Sequence, residues 1–200
     1  MGEGAAQILW RAAQALAPAG PLPPLFFVTD PVRTPDPCAV AAGLPRGCGV
    51  IYRAFGAADA SEVARRLGDI ARERRLVLLI GLDGELAEVV GAHGVHLPER
   101  ALGDARDLRR RRPEWILTGA AHGADGLAAG KALELDAMLL SPVFASGSPS
   151  AGEALGLKRF SELVKGAGLP VYALGGVNAE TASGLIGSGA AGFAAVEGLL

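Results

Sequence analysis

Short runs of consecutive apolar residues alternate with segments of helical periodicity along most of the chain. Eight of these runs are predicted to be strands, at residues 25–29, 49–53, 76–80, 94–97, 116–120, 137–141, 171–174 and 192–196. Most of them are continuously apolar, which is typical of parallel strands that are buried on both faces. The repeated order of strand and helix therefore predicts an α/β fold with a parallel sheet.

The segments between these runs place apolar and charged side chains on opposite helical faces. In residues 61–75, for example, Leu67 and Ile70 lie on one face, and Arg66 and Asp69 lie on the other. Further helices are predicted at 85–92, 104–111, 124–134, 157–167 and 179–187. Eight strand–helix units favour a small (β/α)8 TIM barrel, because right-handed crossovers close a parallel sheet. The alternative is an open flavodoxin-like sheet, which normally has five or six strands.

The two ends of the chain complete this domain prediction. Residues 5–17 carry apolar side chains at helical spacing, so we assign residues 1–20 to an N-terminal helix that caps the barrel and residues 21–200 to one barrel domain. The eighth strand is followed by too few residues for a full eighth helix. The N-terminal helix or a partner subunit would cover the gap, so a homodimer is one hypothesis.

Composition narrows the classes of partner. The chain has 200 residues, 50% of them hydrophobic, with a net charge of −2 and a pI near 5.9. This balance is typical of a compact cytoplasmic domain and offers no basic surface for nucleic acid or anionic membrane. No run reaches the roughly 18 apolar residues that a membrane span needs. Cys38 and Cys48 lack metal-type spacing and are predicted to be free thiols.

Glycines at the ends of the last two strands are the first sign of a ligand site. The apolar run before Gly175 stops at Gly175 and Gly176, and the run that ends at Val196 is followed by Glu197. In (β/α)8 barrels the loops after strands seven and eight frequently bind phosphate through backbone N–H groups. We therefore predict a small-molecule phosphate ligand at Gly175, Gly176, Val196 and Glu197. The alternative is that the glycines only close tight turns.

Other polar residues follow the remaining strands. His122 is the candidate general acid or base after strand five, unless it only makes a local hydrogen bond at a helix start. His96 stands within an apolar strand, which favours a buried, hydrogen-bonded histidine. Ser146 and Ser148 are candidate phosphate ligands, unless their loop is simply flexible. Asp83 offers a carboxylate to Mg²⁺, or else complements the N-terminus of the helix that follows.

The combined pattern resembles the thiamin phosphate synthase/TenI family. The resemblance rests on segments that occur in the family's order and spacing, namely Gly94-Val95-His96-Leu97, Ala121-His122, residues 136–144, Leu174-Gly175-Gly176-Val177 and residues 189–192. It implies a TIM barrel that binds a thiazole phosphate near strands seven and eight. Synthases of this family ionise an aminopyrimidine diphosphate with the help of Mg²⁺. In TenI-type relatives, a histidine acts in aromatising a thiazole carboxylate phosphate.

The chain departs from the family pattern mainly on the diphosphate side. The family's Gln-x-Arg-x-Lys motif on strand two is matched here to Tyr52, Ala54 and Gly56. Arg53 replaces the arginine only if the strand slips by one residue or carries a bulge, because adjacent strand residues face opposite ways. Tyr52 and Arg53 are thus the candidate diphosphate ligands, and Asp83 is the remaining metal candidate. Other family positions are altered as well: Gly81 and Leu82, Ala101, Ala120, Ser146-Gly147-Ser148-Pro149, and Glu197 in place of a serine.

These departures shape the predicted function. Removing one group that stabilises developing charge typically costs about 10²–10³-fold in rate, and several are absent here. We therefore predict a thiamin phosphate synthase/TenI-like protein of thiamin biosynthesis that binds a thiazole phosphate. The alternatives are a synthase that works with altered residues, a TenI-like enzyme that uses His122, and a non-catalytic protein that binds a phosphate ligand.

Overall fold

A computed structural model describes residues 4–16, 20–147 and 152–200 as a closed parallel barrel. Its strands are β1 (Leu25–Val28), β2 (Gly49–Tyr52), β3 (Val77–Gly81), β4 (Gly94–Leu97), β5 (Ile116–Ala121), β6 (Ala137–Leu140), β7 (Val171–Ala173) and β8 (Gly192–Ala195). Each strand pairs with the next, and β8 pairs with β1, which excludes the open sheet. The predicted TIM barrel is confirmed, and each strand end lies within one residue of its prediction.

Helices surround the barrel. They are α1 (Ala5–Gln14), α2 (Pro37–Gly43), α3 (Ala60–Arg74), α4 (Gly84–Val90), α5 (Ala105–Arg111), α6 (Ala124–Ala132) and α7 (Gly156–Ala167). Short 3₁₀ helices occur at Glu99–Asp104, Ala182–Leu185 and Glu197–Leu199. No helix in the described ranges is long and apolar enough to cross a bilayer.

Helix α2 was not predicted from the sequence. The Asp36 side chain accepts a hydrogen bond from the backbone N–H of Ala39 at 2.9 Å, and Pro37 occupies the first turn. An acidic N-cap followed by proline is a known helix start, so this Asp-Pro pair was the available signal. Cys38, on this helix, and Cys48 are buried free thiols, and burial raises the pKa of Cys48 to about 12.

The helix predicted at 179–187 is wrong. Only the 3₁₀ segment Ala182–Leu185 forms there. The Asn178 side chain accepts hydrogen bonds from the backbone N–H groups of Glu180 and Thr181, and the Thr181 hydroxyl donates to the carbonyl of Gly176. Local side-chain bonds of this kind compete with helical ones, and here they hold a chain of turns between β7 and β8.

Aromatic side chains fill the lower interior of the barrel. The rings of Phe26 and Tyr172 meet edge to face with 5.2 Å between centroids, and the Tyr172 hydroxyl donates to the carbonyl of Pro23. A Cβ atom at Gly49 would lie 2.2 Å from the Phe26 ring, and one at Gly192 would lie 2.3 Å from the Tyr172 ring. The two glycines make room for the rings. Because the rings fill this end of the barrel, the opposite end is the open one.

Helix α1 lies in the outer layer beside β8 and β1. It contacts both strands and the 3₁₀ segments Ala182–Leu185 and Glu197–Leu199, with Leu9 and Ala13 buried. The predicted end of this helix at residue 17 lies outside the described residues. Because α1 occupies the position next to β8, no partner subunit is needed to cover it. A homodimer stays a prediction.

Candidate active site

A cavity of about 1430 Å³ opens at the carboxyl ends of the strands. Alternate residues point into the barrel, and the uppermost inward positions line the cavity: Arg53, Gly81, His96, Ala120, Ser141, Leu174 and Val196. This is the end at which (β/α)8 enzymes carry their active sites. The cavity is larger than the roughly 300–1,000 Å³ of ordinary ligand pockets.

The loop after β7 depends on its two glycines. Gly175 and Gly176 have φ values of +92° and +65°, which favour glycine. A Cβ at Gly175 would lie 2.7 Å from Pro142, and one at Gly176 would lie 2.5 Å from the carbonyl oxygen of Ala145. The loop after β7 therefore packs directly on the backbone of the loop after β6.

The loops after β7 and β8 also touch each other. A Cβ at Gly198 would lie 2.3 Å from the carbonyl oxygen of Val177 and 3.0 Å from the Cα of Asn178. The absence of a side chain at Gly198 therefore lets the two loops approach closely. Both loops line the cavity, so the structure brings Gly175, Gly176 and Glu197 together as predicted from the sequence.

Several backbone N–H groups on these two loops have no acceptor among the described residues. Within the described residues, no hydrogen bond has as its donor the amide of Gly175, Gly176, Val177, Glu197 or Gly198. Amide donors without a partner are available to water or to a ligand. Several such amides at one end of a cavity form an arrangement that suits the oxygens of a phosphate group. We call these five amides the amide cradle.

Charged side chains stand beside the amide cradle. Glu197 forms an ion pair with Arg33 at 3.5 Å, and its side chain is 56% exposed. Arg33 also binds Asp30 at 3.0 Å, and Arg53 lies 3.7 Å from the same carboxylate. Burial raises the pKa of Asp30, but hydrogen bonds from the Arg33 side chain and from the Arg33 and Val32 amides outweigh it, so the net pKa is lowered. The sequence analysis gave Arg33 no role.

Strand β2 turns Arg53 towards the cavity and Tyr52 away from it. Tyr52 is buried in the layer between the barrel and the helices, where burial raises the pKa of its hydroxyl. Arg53 donates from Nε to the carbonyl of Thr29 at 2.8 Å, and Gly81 leaves space for its side chain. The structure therefore does not bring Tyr52 to a substrate. Ile51 and Arg53 face the barrel interior, and Arg53 lines the cavity from the β2 side.

Apolar residues follow β2 and β3 at the rim. Phe55 is 69% exposed. The Arg53 guanidinium carbon lies over the Phe55 ring, 5.1 Å from the ring centroid. Leu82 is 45% exposed. Both residues have positive φ, +49° and +67°, which is uncommon for residues other than glycine. Polar groups for a diphosphate are therefore lacking at these two positions.

His122 lies at the cavity with a defined tautomer. Its Nδ1 is 2.9 Å from the carbonyl oxygen of Ser141, which can only accept, so Nδ1 carries the proton. The lone pair of neutral His122 is then on Nε2. The backbone N–H of His122 donates to the Glu99 carboxylate at 2.9 Å, which holds this loop in place. The arrangement can accept a proton from a bound molecule.

His96 has a different environment. It is buried, and its Nδ1 lies 2.9 Å from the Thr118 hydroxyl. Burial, with a smaller contribution from Arg53, lowers the pKa of His96 to about 3. The ring is therefore neutral at physiological pH, and it contributes shape and hydrogen bonding to the cavity wall.

Asp83, the candidate Mg²⁺ ligand, has a structural partner. The Asp83 carboxylate accepts the backbone N–H of Leu86 at 2.8 Å and caps helix α4, as the alternative prediction had it. In the described parts of the chain, no group of three or more His, Cys, Asp or Glu side chains is arranged to hold a metal. Mg²⁺ normally takes one or two carboxylates with substrate phosphates, and Leu82 and Ala101 supply none.

The loop after β6 is described only in part. Ser146 lines the cavity, so the structure places this candidate near the loop after β7. Ser148 lies outside the described residues.

Comparisons with known proteins agree with this geometry. The thiamine monophosphate synthase family matches residues 25–199. A thiamine-phosphate synthase of Methanoculleus marisnigri is 31% identical over 71% of this chain and 68% of its own length. The thiamine biosynthesis bifunctional protein ThiM/ThiE of Symbiobacterium thermophilum is 29% identical over 92% of this chain and 42% of its own length.

A solved structure shows the same fold. Thiamine phosphate pyrophosphorylase from Pyrococcus furiosus superposes with a TM-score of 0.74 at 20% identity, covering 89% of this chain and 87% of its own. The family match spans the whole barrel, including both loops of the amide cradle. The chain belongs to the thiamine monophosphate synthase family.

Proposed function

We propose that the chain binds a thiazole phosphate at the carboxyl end of the barrel, with the phosphate ester on the amide cradle. The observation that carries the proposal is the set of unpaired amides on two touching loops of one cavity. Hydrogen bonds from neutral amides to a charged acceptor are stronger than those between neutral groups. A monophosphate held in this way needs no metal and no lysine.

The same geometry argues against efficient diphosphate displacement. Ionising a diphosphate requires positive charge or metal at the leaving group. Phe55 and Leu82 supply neither, and Asp83 is engaged as a helix cap. Arg53 is the cation that strand β2 supplies here, and the Asp30 carboxylate, 3.7 Å away, offsets its charge. We infer that thiazole phosphate binding, rather than pyrimidine diphosphate ionisation, is the activity that the described residues support.

Calorimetry with three ligands tests this proposal. Thiazole phosphate is expected to bind, while the dephosphorylated thiazole binds at least about tenfold more weakly, since it loses charge-assisted hydrogen bonds. The aminopyrimidine diphosphate is expected to bind weakly both with and without Mg²⁺. Equal affinities for the phosphorylated and dephosphorylated thiazoles would refute a phosphate site.

A second candidate function is proton transfer on the bound thiazole by His122, as in TenI-type relatives. The observation that favours it is His122 Nε2, which has no partner among the described residues, on a ring whose Nδ1 is held by the Ser141 carbonyl. The variant His122→Asn retains an N–H donor near the Ser141 carbonyl and removes the base. We expect turnover of a thiazole carboxylate phosphate to fall about 10²–10⁴-fold, with unchanged ligand affinity. Wild-type turnover in this variant would exclude His122, and no turnover in either protein would indicate a binding protein.

A further inference from the structure

Arg33 is held rigidly at the edge of the cavity. It lies in the turn between β1 and α2, where the Asp30 carboxylate accepts the backbone N–H groups of Val32 and Arg33 at 3.1 Å. The Thr34 hydroxyl donates to the carbonyl of Asp30 at 2.8 Å, which closes the turn. The Arg33 side chain is only 15% exposed. The turn therefore fixes the Arg33 backbone, and the Asp30 carboxylate of the same turn holds its guanidinium.

The hydrogen-bonding capacity of the Arg33 guanidinium is incompletely used. Nη2 binds Asp30 at 3.0 Å, whereas Nη1 is 3.5 Å from Glu197, longer than a charge-assisted hydrogen bond. Nε is buried and, in the described part of the chain, has no partner. Arg53 Nη2, at the same cavity, is likewise buried without a hydrogen-bond partner among the described residues, so both guanidinium groups keep unused donors, which is costly without a ligand. Both Arg33 and Glu197 line the cavity that holds the amide cradle.

The local charges make this arrangement sensitive to an anion. Arg33 and Arg53 carry two positive charges, and Asp30 and Glu197 carry two negative ones, so the group of four is neutral. A phosphate on the amide of Glu197 would face the carboxylate of the same residue. The phosphate and the Glu197 carboxylate would repel each other. The repulsion is relieved if the carboxylate moves away and Arg33 pairs with the phosphate instead.

We propose that Arg33 is the cation of the phosphate site and that Glu197 is its internal competitor. Glu197 occupies Arg33 while the site is empty, and a phosphate ester displaces the Glu197 carboxylate and takes the Arg33 guanidinium. The half-exposed Glu197 side chain can move into solvent, while Arg33 stays fixed by Asp30. This inference rests on the proposed function, because it places the phosphate on the amide cradle.

Two substitutions with opposite expected effects test the exchange. Arg33→Gln should weaken the binding of thiazole phosphate about tenfold, as expected for the loss of one hydrogen bond to a charged group. Glu197→Gln should strengthen it about threefold to tenfold, because the competitor loses its charge. In the Arg33→Gln background, Glu197→Gln should gain less, because no ion pair remains to be broken.

The controls separate local from global electrostatics. Arg110→Gln and Asp107→Asn make the same charge changes in an exposed ion pair on helix α5, and neither should alter the affinity. Thermal unfolding of each variant verifies the fold, and the dephosphorylated thiazole should bind all variants equally. Unchanged or weaker phosphate binding in folded Glu197→Gln would overturn the proposal. Unchanged binding in folded Arg33→Gln would overturn it as well.

Inorganic phosphate distinguishes this inference from the proposed function. If the two variants shift phosphate affinity as expected while thiazole phosphate binds no better than inorganic phosphate, the exchange stands and the thiazole assignment fails. If thiazole phosphate binds well and neither variant changes its affinity, the proposed function stands and the exchange fails. If wild-type protein binds neither ligand, both fail.

Discussion

The contact between the last two loops leads to a sharp prediction about Gly198. In the variant Gly198→Ala, the new methyl group would lie 2.3 Å from the carbonyl oxygen of Val177 if the backbone did not move. Ordinary contacts of this kind are longer by about 1 Å, so the loops after β7 and β8 must separate by roughly that amount. Gly198 is a cleaner position than Gly175 or Gly176, because a side chain at either of those would also push the loop after β6.

The size of the expected effect follows from hydrogen-bond geometry. An N–H···O bond stretched by about 1 Å from its usual length of about 2.9 Å is no longer a hydrogen bond. A bond to a charged acceptor contributes about 1.5–3 kcal/mol, so misplacing one amide should weaken phosphate binding about tenfold to a hundredfold. The affinity for a dephosphorylated thiazole should change much less, because that ligand does not use the amides.

Calorimetry on wild type and Gly198→Ala, with both ligands, measures this difference. Gly166→Ala is the matched control, because a Cβ at Gly166 meets nothing within 4 Å on helix α7. That control should bind both ligands normally and be more stable by about 1 kcal/mol, the helix propensity difference between alanine and glycine. If folded Gly198→Ala keeps wild-type discrimination between the two ligands, the phosphate does not lie between these loops.

Three further predictions concern stability and metal. Leu9→Ala should lower the free energy of unfolding by about 2–5 kcal/mol in a urea titration, because Leu9 is fully buried, and the exposed-site control Gln7→Ala should not. The folded-state pKa of His96, about 3, is below its unfolded value, so the native state binds fewer protons. Stability should therefore fall as pH drops from about 6.5 towards 3, by about 1.4 kcal/mol per pH unit, with this contribution absent in His96→Asn. EDTA should leave the dissociation constant for thiazole phosphate unchanged, and an Mg²⁺-dependent constant would restore a metal role for Asp83.

The strands could be predicted because the signal for each one lies within a short stretch of sequence. A run such as 137–141 is continuously apolar, and burial on both faces requires that pattern. Helices were less predictable where polar side chains compete for the backbone. Asn178 and Thr181 hold turns in place of the expected helix at 179–187. Helix α2 contains no charged residue, so no polar face marks it in the sequence.

The site could be predicted only where it depends on local sequence. Gly175 and Gly176 come just after a strand, and that local pattern alone predicts a phosphate site there. The Arg33–Glu197 contact joins residues from opposite ends of the chain, and no local pattern indicates it. The motif match left open which of Tyr52 and Arg53 faces the cavity. A shift of one residue along a strand exchanges the residues on its two faces, and only the strand pairing fixes the choice.

The proposed phosphate end and the diphosphate end of the rim are built from different parts of the chain. Phosphate binding and diphosphate displacement can therefore be lost independently. The proposed phosphate end would use backbone amides, which need only glycines and loop contacts to be in position. The diphosphate end needs particular side chains, and Phe55 and Leu82 at that end are apolar. Substitutions there can remove the stabilisation of a leaving group and leave the amide cradle intact, since the cradle is built from β7 and β8 on the other side of the barrel. Phosphate binding without efficient diphosphate displacement is therefore a physically consistent state of this fold.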